Sequence, residues 1–241
     1  MMYNQNDVEK QSAFDAYVAN CNRETRLGFI KKVYGILSVQ LLITFGLILL
    51  TTYVESLRVF FTQYYFIIFF ASLAVSIAYS LGMMCCYSVL HKVPYNYIGL
   101  FVYTIIEACL LSSVCGMVES KIVLSAVLIT FGVVIGLTIY AFVTKTDFTG
   151  FGPYLFAALL GLCLSGLFMF WFNNWMYTLY CAIAVIIFCL YLVYDTQLVI
   201  GGSHKYSFTI DDYVIAALNI YLDIINLFVY ILSLLVNSRD N

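Results

Sequence analysis

One stretch near the end of the 241-residue chain limits the fold more than any other. It runs from Asp211, Asp212 and Tyr213 through VIAALNIYLDIINLFVYILSLLV to Val236. It is long and apolar enough to cross a bilayer, which takes ~20 such residues. Its polar residues are nevertheless ordered. Asp212, Asn219, Asp223, Asn226, Tyr230, Ser233 and Asn237 recur at intervals of seven, four, three, four, three and four. That rhythm places them on one helical face. A helix bathed in lipid on all sides would not keep such a stripe, because each unpaired polar group in hydrocarbon costs several kcal/mol. The helix is therefore expected inside a bundle of other helices, with Asp223 facing a buried or wet interior. An ionisable group at that depth marks a functional site whose partner must be sought.

The rest of the chain supplies the bundle. Residues are 63% hydrophobic and only 10% charged, with mean hydropathy +0.97, a composition foreign to soluble domains. Beyond a polar tail, apolar spans are expected at about 33–53, 64–90, 95–116, 122–144, 151–172, 175–200 and 212–236. The connections are short, which makes successive helices antiparallel neighbours and leaves no room for a second domain. The expected architecture is an all-α polytopic membrane protein of seven transmembrane helices. Its parts are a cytosolic tail at 1–32 with a short interfacial helix around Phe14, Tyr17, Val18 and Cys21, the membrane domain at 33–236, and a C-terminal tail at 237–241. The first span is too long for a signal peptide and has no small-residue cleavage site.

Lysines and arginines orient the bundle. With the N-terminus cytosolic, that side collects Lys10, Arg23, Arg26, Lys31, Lys32, Lys92, Lys145 and Lys205, against Arg58, Lys121 and Arg239 opposite. A net charge of −2, with no basic patch and no phosphate-cradling glycine loop, excludes nucleic acid as a partner. Seven of the eight cysteines lie in apolar spans, where they pack as small hydrophobes, so no disulfide framework is expected. The only histidines, His91 and His204, fall in loops and cannot build a three-histidine zinc centre. Small residues at Ala74, Ala78 and Gly82, at Gly132 and Gly136, and at Gly161 and Ser165 are expected where helices approach closely. Gly201-Gly202 suits a left-handed helix end, and Thr209 three residues before Asp212 resembles a capping box.

Three acids, Glu107, Asp195 and Asp223, lie within spans that contain no Lys or Arg. Each is kept as a neutral acid, or two share one proton. Asp195 and Asp223 sit on consecutive helices joined by a short loop, at nominal depths six residues or ~9 Å apart, which tilt or an overhang must absorb. If they meet, a shared proton joins the two helices and its loss sets like charges face to face. That is a pH-sensitive latch. Asn219 and Asn226 flank it on the last helix, and Glu107 is the third candidate for pore or pair support. A wet, carboxylate-lined path also suits transient passage of a hard divalent cation such as Ca²⁺ at Asp195 and Asp223, with no resident cofactor. The alternative is hydrogen-bonded glue between helices.

TKTDFTGFG (144–152), YDTQLVIGG (194–202), DDYVIAALNIYLDIINLF (211–228) and FIKKVYGILSVQLL (29–42) together resemble the transmembrane Bax inhibitor motif family. The short tail is similar to its Golgi anti-apoptotic, lifeguard-4 branch. The resemblance implies six helices wrapped around a central seventh, a pH-sensitive Ca²⁺ leak from internal stores, and suppression of cell death at the Golgi or endoplasmic reticulum. It also implies cell-death regulators or other Ca²⁺ channels as partners besides the lipid bilayer. Asp195 and Asp223 occupy the positions of the family's pH-sensing pair. In bacterial relatives an arginine of the second helix locks that pair, but span 64–90 has neither Arg nor Lys. Either the carboxyls act alone, or a hydroxyl, an amide or a loop residue such as His91 substitutes.

Other readings compete. Tyr194-Asp195 and Asp223 echo an intramembrane aspartyl protease, but Ile220-Tyr221-Leu222 replaces the Gly-x-Gly required before the second acid, and Pro94 and Pro153 lie far from its Pro-Ala-Leu turn. Retinal proteins need a membrane lysine and rhomboid proteases a helical histidine, both absent from the spans. A non-conducting adaptor that binds other membrane proteins remains the alternative to a channel.

Overall fold

A computed structural model of the chain describes residues 17–85, 93–169, 173–201 and 204–239. The described residues form eight α-helices: α1 (Arg23–Tyr53), α2 (Glu55–Gln63), α3 (Tyr65–Cys85), α4 (Tyr95–Cys115), α5 (Ser120–Val143), α6 (Gly152–Leu167), α7 (Asn174–Ile200) and α8 (Tyr213–Asn237). Single 3-10 turns occupy Val18–Asn20 and Thr149–Phe151. Helix starts follow local chemistry. Asn22 caps α1 by accepting from Thr25 N at 2.8 Å, and Asn173 caps α7 by accepting from Met176 N at 2.9 Å. Pro153 sits in the first turn of α6, where no amide hydrogen is needed.

Six helices are long and apolar enough to cross a membrane; α2 and α3, bent 74° at Tyr64, make a seventh if they count as one span. The all-helical, seven-span architecture expected from the sequence is thus the one observed. Within it α8 is the most buried of the long helices. Of its most apolar window 67% is buried, against 11–44% in the other long helices. Among the described residues α8 packs on α7, α1, α5 and α4, while α3 leans on α4 and α6 on α7 in an outer layer. The core is accordingly built on Ile220, Tyr221, Leu227 and Phe228 of α8.

The two ends of the bundle are tied differently. At one, Tyr17 bridges Thr209, Val18 N donates to Phe208 O at 2.9 Å and Ala19 N to Ser207 Oγ at 3.1 Å. At the other, Arg58 donates to Gly116 O (3.0 Å) and Val118 O (3.4 Å), and Arg239 pairs with Glu119.

Several expectations are corrected. Residues 17–21 form a bridge and one 3-10 turn in place of an interfacial helix, while Phe14 lies outside the described residues. Their backbone donors are taken by 207–208, so they fold back on the bundle. The helix that carries the first apolar span starts before Val33, at Arg23, so Arg23–Lys32 are its opening turns. The segment read as a loop before residue 64 contains α2. Glycines 82, 132, 136 and 161 would meet nothing within 4 Å if given a Cβ, and Ala74 and Ala78 are exposed, so those stripes mark no close approach among the described residues. Close approaches occur elsewhere, under tyrosine hydroxyls: Tyr79 over Gly99, Tyr194 over Gly152 and Tyr180 over Gly166. The Thr209 motif is half a capping box. Asp212 reaches back to Thr209 N (3.0 Å), but the threonine hydroxyl also donates to Asp212 (2.6 Å) and does not cap the helix. Gly201 has φ +59° and ψ −137°, a backbone that favours glycine but lies outside the left-handed α region expected; Gly202 lies outside the described residues.

Candidate functional site

Asp195 and Asp223 meet. Each is 5% exposed, and their carboxyl groups lie within hydrogen-bonding reach of one another across the α7–α8 interface. The Asn219 side chain, one turn before Asp223, also reaches Asp195. Asp195 thus faces a full turn of α8, from 219 to 223. It lies five residues from the end of α7, and Asn219 lies six from the start of α8, so the expected depth mismatch is largely absorbed. Asp223 Oδ2 is buried without a donor from the protein. Two carboxyls in contact are mutually attractive only when a proton lies between them.

The pair opens onto a cavity of about 420 Å³ between α6, α7 and α8. Asn219, Asp223, Asn226 and Tyr230 line it along one face of α8, the stripe read from the sequence. From α7 come Tyr191, Tyr194 and Asp195, and from α6 Leu159, Leu162 and Cys163. The cavity exists because α6 packs on α7 and leaves the polar face of α8 uncovered. Asn226 lines the cavity and donates one of its two Nδ2 hydrogens to Leu222 O at 2.8 Å. No Lys, Arg or His lines the cavity among the described residues, and α3 contributes nothing to it; His91 lies outside the described residues. Asn219 supplies an amide to Asp195, and Tyr191 stands near both acids.

Glu107, expected as pore or pair support, is elsewhere. It lies half-buried on α4, in contact with Tyr103 and facing Tyr221. Tyr221 precedes Asp223 by two residues, which turns it ~200° around α8. The structure sets Glu107 apart from the pair.

One feature of the site end had no assigned role in the sequence. Gln197, two residues beyond Asp195, is fully buried and holds the 144–151 loop: its Oε1 accepts from Phe148 N (2.7 Å) and its Nε2 donates to Thr146 O (2.9 Å). In that loop Asp147 accepts from Thr149 N (2.9 Å), Thr149 Oγ1 (2.7 Å) and Lys205 N (2.9 Å), with His204 Nδ1 at 3.3 Å. Partial burial opposes its charge, but those hydrogen bonds and His204 outweigh burial and hold the carboxyl below the usual carboxylate range. TKTDFTGFG and the segment after YDTQLVIGG are thereby clamped together over the end of α7. Among the described residues no group of three or more His, Cys, Asp and Glu is placed to hold a metal ion.

Comparison with known proteins identifies the family. A family model described as inhibitor of apoptosis-promoting Bax1 matches residues 26–241. Protein lifeguard 3 of Homo sapiens is 37% identical over 219 residues, covering 89% of this chain and 70% of the relative. Protein lifeguard 4 of Mus musculus is 34% identical over 238 residues, 97% and 94% of the two chains. The Golgi anti-apoptotic protein of Vaccinia virus (strain Lister) is 34% identical over 232 residues, 95% and 93%.

Proposed function

The chain belongs to the family of inhibitors of apoptosis-promoting Bax1, and from that premise we propose that it is a pH-sensitive Ca²⁺ leak channel gated by Asp195 and Asp223. As an integral membrane protein of the lifeguard and Golgi anti-apoptotic kind, it suppresses cell death by lowering stored Ca²⁺ in the Golgi or endoplasmic reticulum. Its N-terminus and the Asp147 clamp face the cytosol. It performs no catalysis, and its partners are the bilayer, the permeating ion and other cell-death regulators.

The observation that carries this reading is the contact of two buried carboxyls at the wall of a cavity. Proton exchange through that cavity decides whether α7 and α8 are joined or pushed apart at this level. Two acids and two asparagine side chains, all oxygen donors, also suit a hard divalent ion in passage. The reading needs no basic residue to complete the latch.

Ca²⁺ efflux from liposomes holding only the purified protein, followed between about pH 5 and pH 8, tests it. The channel reading expects efflux whose rate changes with pH and whose pH dependence flattens in Asp223→Asn. Protein-free rates at every pH leave only a non-conducting adaptor.

A further inference from the structure

The face of α8 turned away from the carboxyl pair is polar as well. Tyr221, fully buried, shares a 2.9 Å hydrogen bond with Thr44 of α1. One turn earlier on α1, Gln40 donates to Thr104 Oγ1 of α4 at 3.0 Å, and Thr104 donates to Leu100 O at 2.9 Å. Glu107 lies next along α4. Around it stand Tyr103 of its own helix, Tyr221 of α8 and Tyr79 of α3, which stacks on Tyr103 with centroids 4.7 Å apart. At this level α1 brings the uncharged Gln40 and Thr44 to the seam.

Three polar atoms in the same seam have no protein partner among the described residues: Gln40 Oε1, Thr51 Oγ1 and Ser112 Oγ, all on residues 0% exposed. Gln40, Thr44 and Thr51 share a face of α1, and Thr104 and Ser112 share one of α4. An unsatisfied buried polar group costs ~1–3 kcal/mol, so three along one seam call for a common partner, and water is the molecule that fits the role. The seam leads somewhere. A Cβ on Gly116 would lie 3.5 Å from the methyl groups of both Thr51 and Thr62. Thr52, Glu55, Arg58 and Thr62 line a cavity of about 400 Å³ at that end. At the other end the route is stopped. There Asn96 donates to Tyr213 OH at 3.2 Å and Lys32 Nζ lies 3.2 Å over the Tyr213 ring. From Gln40 to Thr51 is ~16 Å along α1, about half of a ~30 Å hydrocarbon layer.

We propose that the α1–α4–α8 seam is a hydrated half-channel, open beside α2, that admits small hard cations to a binding site at Glu107 separate from the Asp195–Asp223 cavity. The chemistry is that of its walls. They offer hydroxyl and amide oxygens and one acid at depth, the donor set of hard cations; at the mouth Glu55 lines the same cavity as Arg58, whose guanidinium donates to Gly116 O and Val118 O. Lys32 at the closed end repels a cation that has entered, which makes the seam a dead-end site and not a through route.

Hydroxyl-radical footprinting of the unmodified chain in lipid nanodiscs reads internal water directly. Tyr221 and Phe228 are both 0% exposed on α8, so static burial predicts equal silence. A water-filled seam oxidises Tyr221 several-fold above Phe228; equal silence overturns it. Charge is read by Thr51→Cys and Ser112→Cys, labelled with cationic and anionic methanethiosulfonates of similar size and located by peptide mass spectrometry. The cationic reagent reacts several-fold faster, and Glu107→Gln levels the two rates. A preference that survives Glu107→Gln refutes the cation site. Labelling in an Asp195→Asn, Asp223→Asn background is unchanged, which keeps this outcome separate from the fate of the carboxyl latch.

Discussion

Tyr194 of α7 lays its hydroxyl so close to Gly152 at the start of α6 that a Cβ there would come within 2.8 Å of the oxygen. The contact sets how near α6 can stand to α7, and Tyr194 is the residue before Asp195 and part of the cavity wall. Gly152→Ala should therefore displace Tyr194 and cost about 1–3 kcal/mol. Gly201→Ala should cost a similar amount, because φ is +59° and the new methyl would meet Ala19 N at 3.0 Å. Gly132→Ala and Gly161→Ala, with open space around them, should be neutral or stabilise by up to ~1 kcal/mol. Thermal unfolding in one detergent ranks the four, and a Gly161→Ala protein less stable than Gly152→Ala contradicts the packing described.

Asp223→Asn should leave the fold intact and flatten the pH dependence of Ca²⁺ efflux. Asp195→Asn should do the same, and the double variant should add little to either. Contacting residues that share one proton are non-additive by ~0.5–3 kcal/mol, whereas effects that sum indicate acids acting separately.

Asp147 makes the clamp at the site end sensitive to acid. Its carboxyl sits below the usual range in the fold and returns to ~3.9 in the unfolded chain. The stabilisation it gives is complete above ~3.9 and is lost as pH falls through the lower, folded value. Asp147→Ala should remove about 1–2 kcal/mol at neutral pH, discounted for the partial exposure of the group, and should blunt the drop in melting temperature on acidification. Melting curves that still fall equally steeply in the variant would assign the acid sensitivity elsewhere.

Cys163 stands on α6 at the cavity wall, across from the pair. Cys163→Trp should fill part of the 420 Å³ space and slow efflux several-fold while its pH profile keeps its shape. A profile displaced along the pH axis, with rates unchanged, would mean that the cavity tunes the acids and does not carry the flow.

Much of this was legible because burial in a membrane leaves a periodic trace. The intervals between Asn219, Asp223, Asn226 and Tyr230 place one face of α8 against a cavity, and that face lines it. Asp195 and Asp223 could be paired because a short loop joins their helices. The opposite face was harder to read. Tyr221 looks like one more large apolar residue, and Gln40, Thr44 and Thr51 differ from ordinary helix filler only in their spacing of four and seven. Glu107 was visible as an acid, but its side of the bundle depends on the rotation of α4, which sequence periodicity there does not fix. Small-residue stripes misled for a related reason: a glycine permits close approach without compelling it, and tyrosines on neighbouring helices chose Gly99, Gly152 and Gly166 instead.

The burial of α8 bears on how the molecule is made. Synthesis runs from the N-terminus, so α1, α4, α5 and α7 leave the ribosome before the helix on which all four rest. Until it arrives, the earlier segments can be threaded into lipid but have no axle to close upon. Their inward hydroxyls and amides must wait in water or against insertion machinery, and a chain arrested before Tyr213 is a candidate for quality-control disposal.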